Sequence, residues 1–448
     1  MSNDLLNDND AVPQTGEDPR RVSRRHFLHG IAATAGGVAL SAALPTWAAQ
    51  EQMTATLPPP ETSGIKHVIV VMMENRSFDH YLGWLPGADG RQAGQTYKDA
   101  AGIPHTTYPL APDYQGCGHS DPDHSFDGGR TEWNNGACDG WLRAGSNDKY
   151  AIGYYQSKDL AFLGSAAPYW MTCDRYFAAI MSETFPNRMY QHTGQTDRIS
   201  NTLNISQLPT IWDRLAQHGI SGRYYFGDLP FLALWGLKYQ SISHSFETFL
   251  QDCAADTLPS VSFVDPRFLG EGKGTSNDDH PHADIRNGEA FMNQIYAAVT
   301  SSAAWPHTVL IFNFDEWGGF FEHVPPPIAP VPDAVPRTGT HDHLRGFRLP
   351  AMFVAPWAPR RYVSPTVYDH TSVLKLIEWR WNLPALTIRD QTANNPAVEF
   401  NFRTPDLSAP QFNVPPGPFG GPCSTNGPVT EEQWSALKVL AQKQGWPI

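Results

Sequence analysis

The chain has 448 residues, 41% hydrophobic and 12% aromatic, which is enough to bury an enzyme-sized core and too apolar for a disordered tail. A formal charge of -13 argues against a nucleic-acid partner, which needs clustered Lys and Arg, and against recruitment to an anionic membrane surface by charge alone. The 37 Gly and 39 Pro concentrate between the apolar runs, so a compact scaffold with long loops is expected.

Residues 1–49 read as a processing segment. Arg20, Arg21, Arg24 and Arg25 precede an uncharged small and apolar run, Gly30 to Leu44, and then Ala48-Ala49, the basic, apolar, small order of a secretory signal. Ser23-Arg24-Arg25-His26-Phe27-Leu28 looks like a twin-arginine signal, which engages an export machinery for folded proteins. The run is shorter than the roughly 20 residues of a spanning helix. A periplasmic or secreted protein is therefore expected, with a linker over 50–64 and one domain over 65–448. The five cysteines are an odd number, so at least one thiol stays outside any internal bridge. Cys117 and Cys138, which flank one polar loop, are the first candidate pair.

Lys66 to Met73 is a continuous apolar, largely β-branched run, the pattern of a strand buried on both faces, and it stops abruptly at Glu74-Asn75-Arg76-Ser77. Helical patterns follow at Pro209–His218 and Ala283–Ser301, with shorter strand candidates at Gly222–Phe226 and Ser260–Val264. A second buried run, Thr308 to Phe314, stops as abruptly at Asp315-Glu316-Trp317-Gly318-Gly319. Ala351–Val354 and a helix over Thr371–Trp381 continue the alternation. A Pro- and Gly-rich wrap from Asn401 to Pro428 leads to a final helix, Glu431–Gln444. This order predicts an α/β fold, a mostly parallel sheet sandwiched by helices.

Ligands of open α/β sheets bind beyond the carboxyl ends of the strands, where Glu74 and Asp315 both stand. Converging carboxylates repel unless a cation sits between them, and a hard divalent ion is the usual solution. Taken singly, each is equally readable as a helix cap; two strands ending this way favour the metal.

Glu74-Asn75-Arg76-Ser77-Phe78-Asp79-His80, Thr184-Phe185-Pro186-Asn187-Arg188, Asp315-Glu316 through Glu322-His323-Val324-Pro325-Pro326, and Gly346-Phe347-Arg348-Leu349-Pro350 resemble, in order, the motifs of the phosphoesterase family. That family contains bacterial phospholipases C, plant non-specific phospholipases C and certain bacterial acid phosphatases. The resemblance spans about Gly64 to Trp381 and implies an alkaline-phosphatase-like fold. It further implies metal ligation by Glu74, Asn75, Asp315 and Glu316, with Thr184 as nucleophile. Glu322 stands where Asp is commoner, and the carboxy-terminal modules of the larger haemolytic phospholipases are missing. Independently, a threonine hydroxyl becomes a competent nucleophile beside a cation, although Thr184 also suits a helix cap before Pro186. Arg188 reads as a structural ion-pair partner ahead of a phosphate clamp.

Histidines crowd two acidic loops, His119 to Asp127 and Asp278 to Asp284. The family pattern singles out His280 first and His124 second to contact phosphate oxygens and protonate the leaving alkoxide. His341, Asp342 and His343 form a third cluster, and His370 reads as a structural contact. Gly270-Glu271-Gly272-Lys273-Gly274-Thr275 lacks the spacing of a nucleotide motif and reads as a flexible lid. The expected function is metal-dependent hydrolysis of a phospholipid through a phosphothreonine, with transient membrane-surface contact, or acid phosphatase activity as the alternative. The ion is Ca²⁺ or Mn²⁺ by its oxygen ligands, or Zn²⁺ if histidines join. A metal-binding protein without turnover and a cofactor-bearing oxidoreductase are the rival classes; Thr184 disfavours the first, and the absence of a cysteine cluster or dinucleotide fingerprint the second.

Overall fold

The computed structural model describes residues 57–340, 343–423 and 432–448. The twin-arginine segment, His341, Asp342 and Glu431 lie outside the described residues. Eight strands form the central sheet: β1 His67–Met73, β2 Met171–Cys173, β3 Gly222–Phe226, β4 Ser243–Ser245, β5 Val261–Asp265, β6 Thr308–Phe314, β7 Met352–Val354 and β8 Tyr362–Ser364. Their order across the sheet is β8-β2-β7-β6-β1-β5-β3-β4. All adjacent pairs are parallel except those made by β7, which runs against both β6 and β2. The longer helices are α1 Phe126–Trp133, α2 Thr184–Thr193, α3 Ile211–Gln217, α4 Phe246–Ala255, α5 Ile285–Thr300, α6 His370–Trp381 and α7 Glu432–Gln444.

The two strongest apolar runs of the sequence become the two central strands. β6 is buried throughout and β1 from Val68 onward, as expected of strands covered on both faces. The reversed β7 departs from simple alternation because the chain between β6 and β7 makes no crossover helix; it loops back and re-enters beside β6 from the same end. β2, β4 and β8, three residues each, are too short to leave a periodic signal.

From Asn401 to Cys423 the chain has no regular element and crosses the surface, bonding in turn to Trp357, Trp305, Asn287 and Gly272. It ends in a disulfide between Cys117 and Cys423. The pairing expected from the polar loop, Cys117 with Cys138, is therefore incorrect: Cys138 is a free buried thiol and the partner comes from 306 residues away. Among the described residues, no helix is long and apolar enough to cross a membrane.

Candidate active site

Register brings the acidic strand ends together. Met73 and Phe314 are paired residues of β1 and β6, so Glu74 and Asp315 leave the sheet side by side. Asn75 turns the chain in a left-handed conformation (φ 58°), one that Asn tolerates better than most residues. Its backbone N–H donates to Asp315 Oδ1 at 3.1 Å, and the Glu316 N–H donates to the same oxygen at 2.7 Å. The turn after β6 passes through Gly318 and Gly319, both at positive φ. A Cβ at Gly318 would lie 2.1 Å from the Asn75 carbonyl oxygen, and one at Gly319 2.6 Å from Pro122. Two glycines thus let this turn touch both the Asn75 turn and the loop that carries His124.

Helix α2 supplies the third side. Glu183 is its N-cap, and Thr184 is its first helical residue, fully buried. Arg188 lies one turn on, and so on the same helix face as Thr184. Its Nε is 3.0 Å from Asp315 Oδ2, its Nη1 3.0 Å from Asp265 Oδ1, and its Nη2 3.8 Å from Glu74 Oε1. Arg188 is therefore an ion-pair partner of the site's carboxylates, not a group open to substrate.

Glu74, Asn75, Thr184, Asp315 and Glu316 are all fully buried, and Arg188 does not neutralise the whole group. Burial, then Asp315 and Asp278, push the Glu74 carboxyl well above the usual range; burial and Asp315 push Glu316 up to about 8. Glu74 Oε1, Asn75 Oδ1, Thr184 Oγ and Glu316 Oε1 have no hydrogen-bond partner among the described residues. Buried polar atoms ordinarily find one, and four such oxygens at the ends of three neighbouring elements are of the type a hard divalent cation takes, although the carboxylates that gather within 4.8 Å of Glu74 are those of Glu271 and Asp278. Asp315 is more committed, because three protein donors already take most of its roughly four lone-pair directions.

The histidines divide by access. His124 lines a cleft of about 610 Å³ together with Asp121, Glu183, Leu203, Gln433 and Ala436. Its Nδ1 is 2.8 Å from the Pro122 carbonyl oxygen, and its Nε2 faces the site, 3.2 Å from the Asn75 amide nitrogen and 4.0 Å from Glu316 Oε1. Burial opposes its charge, but Glu316 and Asp121 outweigh burial and hold it at about 9. His280 has no exposed surface and is held between Glu271 Oε2 at 2.9 Å and Asp121 Oδ2 at 3.3 Å. Burial opposes its charge too, and these two carboxylates hold it well above its usual value. His370 begins α6 and contacts the Phe314 carbonyl oxygen through Nε2 at 2.9 Å, a structural role as expected. His343 is 3.2 Å from the Ala329 carbonyl oxygen, away from these residues.

Four residues of the site escaped the sequence reading. Glu271 and Asp278 bring carboxylate oxygens within 4.8 Å of Glu74. Glu271 is buried in the loop taken for a lid, and its sequence context gave no sign of burial. Asp121 and Asp278 stood in the two His/Asp clusters, whose density was the available signal. Trp434 of α7 donates its indole N–H to Glu74 Oε2 at 3.3 Å across 360 residues of sequence, and nothing local announces it. A second acidic group, Asp79, Glu322 and His323, already holds a cation: Arg348 Nη2 lies 2.7 Å from Glu322 and 3.2 Å from Asp79, which makes it a structural cluster.

The family model described as "Phosphoesterase family" matches residues 65–384, most of the chain and all of the strand-end residues above. The chain belongs to the phosphoesterase family. It is accordingly a phosphoric ester hydrolase. Among its relatives it is similar to phospholipase C B of Mycobacterium tuberculosis, 30% identical over 88% of this chain and 89% of that one. It is also similar to non-specific phospholipase C1 of Arabidopsis thaliana, 29% identical over 76% and 71%, and to the non-hemolytic phospholipase C of Pseudomonas aeruginosa, 28% identical over 86% and 64%. Among solved structures it is similar to an alkaline phosphatase superfamily protein of Vibrio parahaemolyticus, with 10% identity over 75% and 72% of the chains and a TM-score of 0.38, a likeness too slight to carry an argument.

Proposed function

We propose that this phosphoesterase is an exported phospholipase C that cleaves glycerophospholipids such as phosphatidylcholine, with Thr184 as nucleophile. The observation that carries the reading is the Thr184 hydroxyl, buried at a helix start without a hydrogen-bond partner among the described residues, on the helix whose Arg188 pairs with the strand-end carboxylates Glu74 and Asp315. The names of the relatives in mycobacteria, plants and Pseudomonas favour the diester.

Glu74, Asn75, Asp315 and Glu316 are the residues that would hold a divalent ion. Bound there, it would favour the Thr184 alkoxide and offset charge on the phosphoryl oxygens. Thr184 Oγ attacks phosphorus in line, displacing diacylglycerol and leaving the phosphorylated head group on the threonine. His124 protonates the departing alkoxide from Nε2, the atom that faces the site; taking up that proton displaces the Asn75 side-chain N–H that the neutral ring accepts there. Water then attacks phosphorus, with His124 as base, and Thr184 is restored. Access ranks His124 ahead of His280, reversing the order that the sequence favours; His280 holds charge within the acidic group. The disulfide supports an oxidising compartment outside the cytoplasm, where such bonds persist.

One observation favours the second reading, a broad-specificity acid phosphatase. Most residues of the cleft wall are polar, and its apolar side chains are Pro122, Leu203 and Ala436. Release of phosphocholine from phosphatidylcholine in mixed micelles, set against hydrolysis of an aryl phosphate monoester, separates the two. A kcat/KM higher for the monoester would reject the phospholipase.

A further inference from the structure

Trp434 lies in the first turn of α7 and has no exposed surface. Its indole is wedged in place: it stacks on Phe268 with centroids 3.7 Å apart and planes at 9°, and meets Phe185, the residue after Thr184, edge-on at 5.3 Å. The Arg188 guanidinium lies 5.6 Å from the ring centroid. Held this way, the ring has one polar atom, and it points at one oxygen of Glu74, Oε2, at 3.3 Å. The other oxygen, Oε1, has no hydrogen-bond partner among the described residues. A single N–H therefore engages one oxygen of the carboxylate and leaves the other, 3.8 Å from Arg188 Nη2, available to a ligand.

The helix that delivers this ring is itself anchored to the body of the domain. Leu437 and Ala441 bury its inner face, and the Trp446 indole, just past its end, donates to the Gly236 carbonyl at 3.2 Å. Upstream, Cys423 is bonded to Cys117, four residues before Asp121 on the loop that carries His124. Gln433 and Ala436 of the same helix form part of the cleft wall.

We propose that Trp434 is a positioning residue of the active site, whose indole N–H orients Glu74 for metal binding, so that the carboxy-terminal helix is a working part of the centre. The proposal rests on Glu74 being a metal ligand. Outer hydrogen bonds to ligating carboxylates commonly set affinity within about 10- to 100-fold. If Trp434 only fills space, a phenyl ring on the same stack serves as well.

The test uses the full chain as wild type, Trp434→Phe, Glu74→Gln and the double variant. The dissociation constant of the metal-stripped protein is measured by equilibrium dialysis, with whichever of Mn²⁺ and Ca²⁺ wild type binds more tightly, beside the thermal midpoint of the metal-free form. Trp434→Phe is expected to weaken binding about 10-fold, beside the fall in that midpoint that a smaller ring in a buried slot brings, and to add almost nothing to the binding loss in the Glu74→Gln background. Wild-type affinity in Trp434→Phe, with affinity lost in Glu74→Gln, overturns the positioning role and leaves the ligand reading intact. A full additional loss in the double variant also overturns it, since the N–H would then act elsewhere. Wild-type affinity in Glu74→Gln removes the ligand reading and this proposal together. Should Trp434→Phe fail to fold, Trp434→Met makes the same comparison.

Discussion

Arg188 and Asp315 form a fully buried ion pair, Nε to Oδ2 at 3.0 Å, and the same guanidinium reaches Asp265 at 3.0 Å. A residue four places after the proposed nucleophile thus ties the α2 helix to the ends of β5 and β6. The pair holds Thr184 in register with the acidic strand ends and leaves Asp315 little spare capacity.

Removing that guanidinium leaves several buried carboxylates uncompensated. Arg188→Met is expected to lose about 3–5 kcal/mol of stability, read from urea unfolding near neutral pH. Arg188→Lys should recover only part of the loss, because one ammonium cannot span both aspartates as the planar fork does. Near-wild-type stability in the Met variant would show that the pair contributes little.

Glu316 has its free Oε1 on the site side and its Oε2 engaged by the Gly318 N–H at 2.7 Å. Glu316→Gln keeps the shape and one acceptor but removes the charge, so bound metal in purified protein should fall at least about 10-fold, with phosphoesterase activity falling in parallel. Unchanged metal content would remove Glu316 from the ligand set.

His192 predicts a pH dependence. Burial, with the Arg188 charge adding, pushes it down to about 3, and its Nδ1 accepts the Trp212 indole N–H at 3.1 Å. The unfolded ring titrates near 6.5. Because the folded value is the lower one, its contribution to stability is complete above about pH 6.5 and shrinks as pH falls toward 3, by about 3 kcal/mol at pH 4. His370, pushed down by burial to about 4, acts in the same direction. His192→Gln should therefore lose about 3 kcal/mol less than wild type between pH 7 and pH 4, measured by urea unfolding. Parallel losses in both proteins would contradict the assignment.

Cys138, Cys173 and Cys253 are buried and free, and burial raises all three thiols, Cys138 and Cys253 to about 12. A thiol reagent should label none of them in native protein, three in denaturant and five after reduction. Cys117→Ser should cost about 2–4 kcal/mol of stability. Labelling of Cys423 in unreduced, unfolded wild type would disprove the bridge.

The centre of the sheet was readable because β1 and β6 are unbroken apolar runs that end at charge, Met73 to Glu74 and Phe314 to Asp315, and strand ends are where such folds hold their ligands. Thr184 was readable only through its motif; chemistry alone left it a possible helix cap. The direction of β7 was hidden, since four residues of apolar sequence look alike in either sense. The Cys117 pairing, the burial of Glu271 and the Trp434 contact depend on chain returning from far away, and no local pattern encodes such contacts. His280 and His124 were both visible, but their order depends on which one the cleft reaches.

The central claim is that Thr184 carries the head group between two displacements. The most direct measurement mixes enzyme with phosphatidylcholine in micelles, quenches in acid within one turnover, and maps the adduct by peptide mass spectrometry. The account predicts phosphocholine on the peptide that begins at Thr184, absent in Thr184→Ala, which should be inactive while still binding metal. Turnover by Thr184→Ala at a near-wild-type rate, with no adduct on this residue in wild type, would contradict it.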